Sequence, residues 1–261
     1  MISRAFNWSL RQWQLFCLAL AFFSRIPVPA STPYSPELLN QSSRYLSLVG
    51  LLLGTLQALL LLATAQLLPF SIAVLLSLVA GLVLTGAFHE DGLADTADGL
   101  GGGLSLERKL EIMKDSRVGT YGLVALFSVF LIKWQSLQAL DSQAVWALVL
   151  VAGLSRATAV SLTFVLPYQQ LDAVSKSKPI ATSLQKRALV WIWLFVLPLL
   201  SLLPVSLALS LLVTLILCFA LLFVYYRSQL QGYTGDLLGA AQQVTELSCY
   251  LVWLVWWRQQ G

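Results

Sequence analysis

Asp91, Asp95 and Asp98 stand at i, i+4 and i+7 within the run His89-Glu90-Asp91-Gly92-Leu93-Ala94-Asp95-Thr96-Ala97-Asp98-Gly99. On a helix that spacing places three carboxylates on one face, where like charges repel unless a cation neutralises them. Oxygen donors without neighbouring cysteine suit a hard divalent ion, Mg²⁺, Mn²⁺ or Ca²⁺, better than zinc or copper. Seven of the chain's twelve acidic residues (Glu90, Asp91, Asp95, Asp98, Glu107, Glu111 and Asp115) fall between His89 and Tyr121. His89, the single histidine, is either a ligand or a hydrogen-bonding group at the edge of the cluster.

Cations lie close by in the sequence. Gly99, Gly101, Gly102 and Gly103 are expected to break the helix and to bring backbone amides near phosphate oxygens, although glycine runs are more often plain loops. Ser105 is then expected to cap a short helix with Leu106, Leu110 and Met113 on one face and Glu107, Arg108, Glu111 and Lys114 on the other. Lys114 and Arg117 at its end would serve a diphosphate, Lys as a point charge and Arg as a two-pronged donor. Arg25, in the proline-rich stretch Arg25-Ile26-Pro27-Val28-Pro29, is a fixed cation or an ordinary positive anchor. Arg156 falls near the middle of an apolar stretch, where an ionisable group usually faces a cavity or a partner. Asp236, in Gly232-Tyr233-Thr234-Gly235-Asp236, either completes the metal site or caps the last helix, and both can hold. Glu246 lies about 15 Å further along that helix, so it lines a cavity or is neutral.

These residues need a scaffold, and composition says which kind. Of 261 residues, 58% are hydrophobic and 11% charged, which fits an all-α, polytopic transmembrane bundle of about six to seven spans with a cytoplasmic acidic and glycine-rich catalytic loop. Stretches long enough for a ~30 Å core are read at 46–68, 70–88, 121–140, 145–166, 188–203, 205–226 and 237–257. Gly50, Gly54, Gly81 and Gly86 would allow helices to approach closely. The chain reads as a single integral membrane domain over 1–261, with an interfacial N-terminal segment at 1–45 and a cytoplasmic catalytic segment at 89–120. No cleavable signal is expected. Thirteen of the sixteen Lys and Arg residues fall on one side of this arrangement, which puts the N-terminus and the acidic window in the cytoplasm. The net charge of +4 is then topology, not nucleic-acid binding, since no basic run exceeds two residues. Cys17, Cys218 and Cys249 have no metal or redox spacing and read as reduced packing residues. The loop with Asp172, Lys176, Lys178 and Pro179 either lies on anionic lipid or gates a substrate.

The run Phe88 to Gly99, followed by Glu111-Ile112-Met113-Lys114-Asp115-Ser116-Arg117-Val118-Gly119-Thr120-Tyr121-Gly122, resembles the cobalamin synthase family, the adenosylcobinamide-GDP ribazoletransferases. Ser24-Arg25-Ile26-Pro27-Val28-Pro29 and Thr234-Gly235-Asp236-Leu237-Leu238-Gly239 are similar to that family's end motifs in the same order; Glu90 stands where an uncharged residue is the expectation. The resemblance implies a Mg²⁺-dependent enzyme of the bacterial inner membrane. It would join α-ribazole, or its 5′-phosphate, to adenosylcobinamide-GDP and release GMP. Asp91, Asp95 and Asp98 would hold one or two Mg²⁺ ions, with Glu90 and Asp236 as further ligands or a base. Lys114 and Arg117 would bind the diphosphate, helped by Arg25 and Arg156. The lipid bilayer is the other partner, and oligomeric state, a homo-oligomer included, stays open. Two other readings are a CDP-alcohol phosphatidyltransferase and a divalent-cation transporter. The first expects Arg directly after Ala94, where Asp95 stands; the second expects a cluster near the bilayer midplane on broken helices.

Overall fold

A computed structural model describes residues 2–169 and 186–260, with side chains described from residue 8 onward. The loop carrying Asp172, Lys176, Lys178 and Pro179 lies outside the described residues. Among those described, the chain is helical, with one isolated bridge between Tyr168 and Tyr233. The helices are α1 (Ile2–Phe23), α2 (Pro36–Ser42), α3 (Leu46–Thr64), α4 (Phe70–Thr85), α5 (Phe88–Gly102), α6 (Leu106–Met113), α7 (Thr120–Leu140), α8 (Ala144–Ser161), α9 (Arg187–Leu194), α10 (Val205–Leu230) and α11 (Gly235–Arg258).

Three helical segments, Pro36–Thr64, Thr120–Phe164 and Val205–Leu230, are long and apolar enough to cross a membrane, and a fourth if the bent pair α4 and α5 is one span. The seven expected stretches therefore do not all become long helices. The stretch at 188–203 is divided into the short α9 and a 3₁₀ segment, Leu197–Leu202. Pro198 explains the division, since it has no amide to donate within a regular α-helix.

The best-packed pair is α3 against α8. A Cβ at Gly50 or Gly54 would run into the backbone carbonyls of Ala152 and Leu148, so these glycines set how near the two axes come. α8 is almost wholly buried. Around it the main core gathers Leu53, Leu61, Leu137, Leu154, Leu207 and Trp253.

The turn between α4 and α5 sets the position of the site. The two helix directions differ by 87°. Gly86 (φ 67°) and Ala87 (φ 58°) are both left-handed, which ends α4 and restarts the chain in a new direction; glycine takes this backbone without strain. The Arg25 amide donates to the Leu84 carbonyl at 2.7 Å, and the Arg25 side chain lies against Gly86. The segment after α1 is thus strapped across the bend.

The helix break expected in the glycine run comes at its last residue: α5 continues through Gly102, and Gly103, in extended conformation, ends it. Gly99 and Gly103 lie against Met113 and Lys109 of α6, and Gly101 lies against the Tyr121 ring. The absent side chains make room for α6 and the start of α7. α6 itself follows expectation: the Ser105 hydroxyl accepts from the Arg108 amide at 3.2 Å, Leu110 and Met113 are buried, and Glu107, Arg108 and Glu111 are exposed.

Candidate active site

Two helices bring the acidic residues together. α5 packs on the first turns of α11, where Gly92 lies against the Asp236 backbone and Gly239 against the His89 carbonyl. The start of α11 is fixed by its neighbours. The Thr234 hydroxyl caps it, accepting from the Leu237 amide at 3.2 Å. The Tyr226 hydroxyl of α10 donates to the Leu237 carbonyl at 2.8 Å. Asp236 is consequently not the cap; its carboxylate accepts weakly from Thr234 at 3.4 Å and lies within electrostatic reach of Asp91 and Asp95.

The aspartates of α5 form a graded series. Asp91 is exposed, Asp95 half-buried and Asp98 buried at 8% exposure. Asp95 lies near enough to Asp236, Asp91 and Asp98 for each to act on its charge. The ion pairs formed by described residues are Arg108–Glu111, Arg117–Asp115 and Lys133–Glu246. None includes Asp91, Asp95, Asp98 or Asp236. The acidic face therefore has no bonded counter-cation among the described residues.

The four residues named as metal ligands divide between different tasks. Both Asp98 oxygens accept backbone amides, from Gly119 at 2.7 Å and Gly122 at 2.9 Å. Asp98 thereby satisfies amides at the first turn of α7 and favours the positive end of that helix. Glu90 turns to another side of α5 and accepts from Gln243 Nε2 at 2.8 Å. Asp91 and Asp95 remain, with Asp236 opposite them. Among the described residues no group of three His, Cys, Asp or Glu side chains is close enough to hold an ion alone. This open arrangement is compatible with Mg²⁺ in particular, which usually takes one or two carboxylates and completes its shell with water and substrate phosphate.

The cationic residues are placed unevenly. Lys114 is exposed at the end of α6. Arg117 is exposed and bonds Asp115 through Nη2 at 2.6 Å. That guanidinium holds the Asp115 carboxyl down to about 2, so a diphosphate must compete for Arg117. Lys109 donates to the Gln229 side chain at 2.8 Å and so ties α6 to α10. Arg156 is buried at 5% exposure and donates to the Ala152 carbonyl of its own helix at 2.8 Å. It lies beside Glu90 and Glu246, not on the aspartate face. His89 is buried with its ring edge-on to Phe88.

Sequence reasoning missed Lys133. It is buried in α7 and donates to Gln243 at 2.5 Å and to Glu246 at 2.9 Å. Gln242 Nε2 and the Tyr250 hydroxyl also donate to Glu246, at 2.7 Å and 2.9 Å. A signal was present: a lone Lys and a lone Glu, each deep in an apolar helix, are affordable together and costly apart. Glu246 does line a cavity, of about 400 Å³, with Glu90, Lys133, Arg156 and Gln243.

Residues 15–254 match the family model described as cobalamin-5-phosphate synthase. The chain belongs to that family. It is 52% identical over 248 residues to the adenosylcobinamide-GDP ribazoletransferase of Shewanella frigidimarina, covering 93% of this chain and 95% of that one. It is 48% identical to the protein of the same name from Shewanella amazonensis, covering 95% and 98%. It is 45% identical to that from Vibrio parahaemolyticus, covering 95% and 94%. No solved structure matches the chain. Membership in this family makes the chain a transferase of cobalamin assembly and favours that reading over the phosphatidyltransferase and transporter alternatives.

Proposed function

We propose that this chain joins α-ribazole, or its 5′-phosphate, to adenosylcobinamide-GDP and releases GMP. The observation that carries this reading is the similarity to ribazoletransferases over nearly the whole chain, joined to an acidic face on α5 and α11 that has no bonded counter-cation among the described residues. The reaction is displacement at phosphorus. A ribose hydroxyl forms the new P–O bond, the bond to GMP breaks, and the hydroxyl proton passes to a carboxylate, for which Asp236 and Glu90 are the candidates. Catalysis of this type rests on positioning and charge neutralisation.

Asp91, Asp95 and Asp236 would hold Mg²⁺ together with the substrate phosphates. When bound, that ion neutralises charge developing on the phosphoryl oxygens and the leaving GMP. Asp98, named among the ligands from sequence, fixes the start of α7 beside this face through the Gly119 and Gly122 amides. Lys114 and Arg117 would bind the diphosphate, with Arg25 at the α4–α5 bend. We assign the site to the cytoplasmic face of the bacterial inner membrane, the side on which thirteen of sixteen Lys and Arg residues are expected.

The test uses purified full-length protein in lipid vesicles. GMP release that requires adenosylcobinamide-GDP, α-ribazole and Mg²⁺ together is the expected result. Metal flux without GMP release would overturn the reading.

A further inference from the structure

The cavity of about 400 Å³ lies among α3, α4, α5, α7, α8 and α11, on a different side of α5 from the aspartate face. Its walls are apolar, with Leu78, Leu82, Leu126, Phe127 and Phe130 among them. Its polar lining is Gln57, Thr85 and Gln243 together with four charged groups, Glu90, Glu246, Lys133 and Arg156, whose formal charges sum to zero. Two of these groups are incompletely bonded, since Glu90 Oε2 and Arg156 Nε are buried without a hydrogen-bond partner. A buried acceptor and a buried donor left unmet are each destabilising, the more so when charged. A lipid chain entering this space would meet neither.

We propose that this cavity binds the base and sugar of the nucleoside acceptor, a neutral bicyclic aromatic ring carrying a ribose. The inference rests on the reaction proposed above and says where one of its substrates lies. The size falls within the ~300–1,000 Å³ usual for small-molecule sites. A planar aromatic ring fills the Leu- and Phe-lined part, and sugar hydroxyls, donors and acceptors at once, pair with Glu90 and Arg156 of the lining. The zero net charge disfavours a diphosphate here and leaves that group to the cations outside. A guanosine end shares the base-plus-ribose chemistry, but its polar ring edge would face the aliphatic and phenyl walls unsatisfied. Glu90 and Asp91 are consecutive, so one helix would present the acceptor on one side and the metal-held phosphate on the next. Glu90 and Arg156 act here as binding and orienting residues.

The test is made with the full chain in vesicles. Leu126→Cys places a thiol in the cavity wall, and its labelling by a maleimide is followed with α-ribazole, GMP or adenosylcobinamide-GDP added. Cys17, Cys218 and Cys249 are buried and serve as the background in the unsubstituted protein. Protection by α-ribazole alone, and not by GMP, is the expected result. Protection by GMP only, or by neither, overturns the inference. In parallel, Leu126→Trp fills the cavity and should raise KM for α-ribazole at least tenfold while leaving KM for adenosylcobinamide-GDP within twofold; equal changes in both would contradict it. If Leu126→Trp does not insert, the labelling result decides. Unsubstituted protein that releases no GMP counts against the proposed reaction, whereas active protein whose Cys variant is unprotected counts against this cavity alone.

Discussion

Glu90 and Asp91 are neighbours in sequence, yet they belong to two regions that treat charge in opposite ways. In the cavity, Glu90 and Glu246 share their surroundings with Lys133 and Arg156, and Gln242, Gln243 and Tyr250 supply further hydrogen bonds. On the aspartate face, Asp91, Asp95 and Asp236 lie within electrostatic reach of one another and form no ion pair with a described residue. The first region is balanced by its own side chains; the second has no such balance among the described residues. About 100° around α5, the advance of a single residue, separates them. Internal balance suits holding a neutral molecule in an apolar setting, and an uncompensated cluster suits capture of a cation and the phosphates that follow it.

The comparison is broken most severely at its centre. Asp95→Asn should lower GMP release at least about 10²- to 10³-fold, the scale of losing one electrostatic group at a phosphoryl-transfer or oxyanion site, while the protein still inserts. Steady-state rates at saturating substrates check this, and turnover near that of the unsubstituted enzyme would refute it. In the balanced region the expected damage is to folding. Lys133→Met leaves Glu246 buried without its cation and should cost about 3–5 kcal/mol, read as lost yield or a lower Tm in detergent. Adding Glu246→Gln to that variant should restore much of the loss. If the double variant is no better than the single, the pair is not what makes this region tolerable.

Asp98 lies between the two cases, since it is acidic and on the metal-facing helix but satisfied by amides. Asp98→Asn can keep one acceptor for Gly119 or Gly122 and loses the charge, so it should destabilise by about 1.5–3 kcal/mol, the range for hydrogen bonds to a charged group. Its effect on the Mg²⁺ concentration needed for half-maximal rate should be much smaller than that of Asp236→Asn. Equal effects would return Asp98 to the ligand set. The smallest change is expected at the surface. Asp115→Asn frees Arg117 and should lower KM for adenosylcobinamide-GDP by no more than about fivefold. The Asp115 carboxyl is held down to about 2, and a depressed folded pKa gives a pairing that is present above the ordinary carboxylate range and lost only as pH falls through that value. The pair therefore persists throughout pH 5–8, and a pH scan over that range should not reproduce the mutation.

Much of this was legible in the residues. Hydropathy located α3, α4, α7, α8, α10 and α11 to within a few positions, because apolar runs of that length have few alternatives in a bilayer. Ser105 announced α6 by its capping chemistry. The Gly99–Gly103 run was half legible: it ends α5, but only at Gly103, since glycine that breaks a helix and glycine that admits a neighbour look alike until the neighbour is placed. The bonds of Asp98 to the start of α7 were hidden for the same reason: its partners, Gly119 and Gly122, are more than twenty positions away. The cavity was visible only in halves, as Arg156 and Glu246, because Lys133 was hidden within an otherwise ordinary apolar stretch.

Mn²⁺ binding to the full-length protein in vesicles, followed by electron paramagnetic resonance with pyrophosphate present, tests the central claim without relying on turnover. The account predicts a bound Mn²⁺ signal that Mg²⁺ displaces, that Asp95→Asn and Asp236→Asn each abolish, and that Glu90→Gln and Asp98→Asn leave in place. Binding unchanged in Asp95→Asn and Asp236→Asn would contradict it.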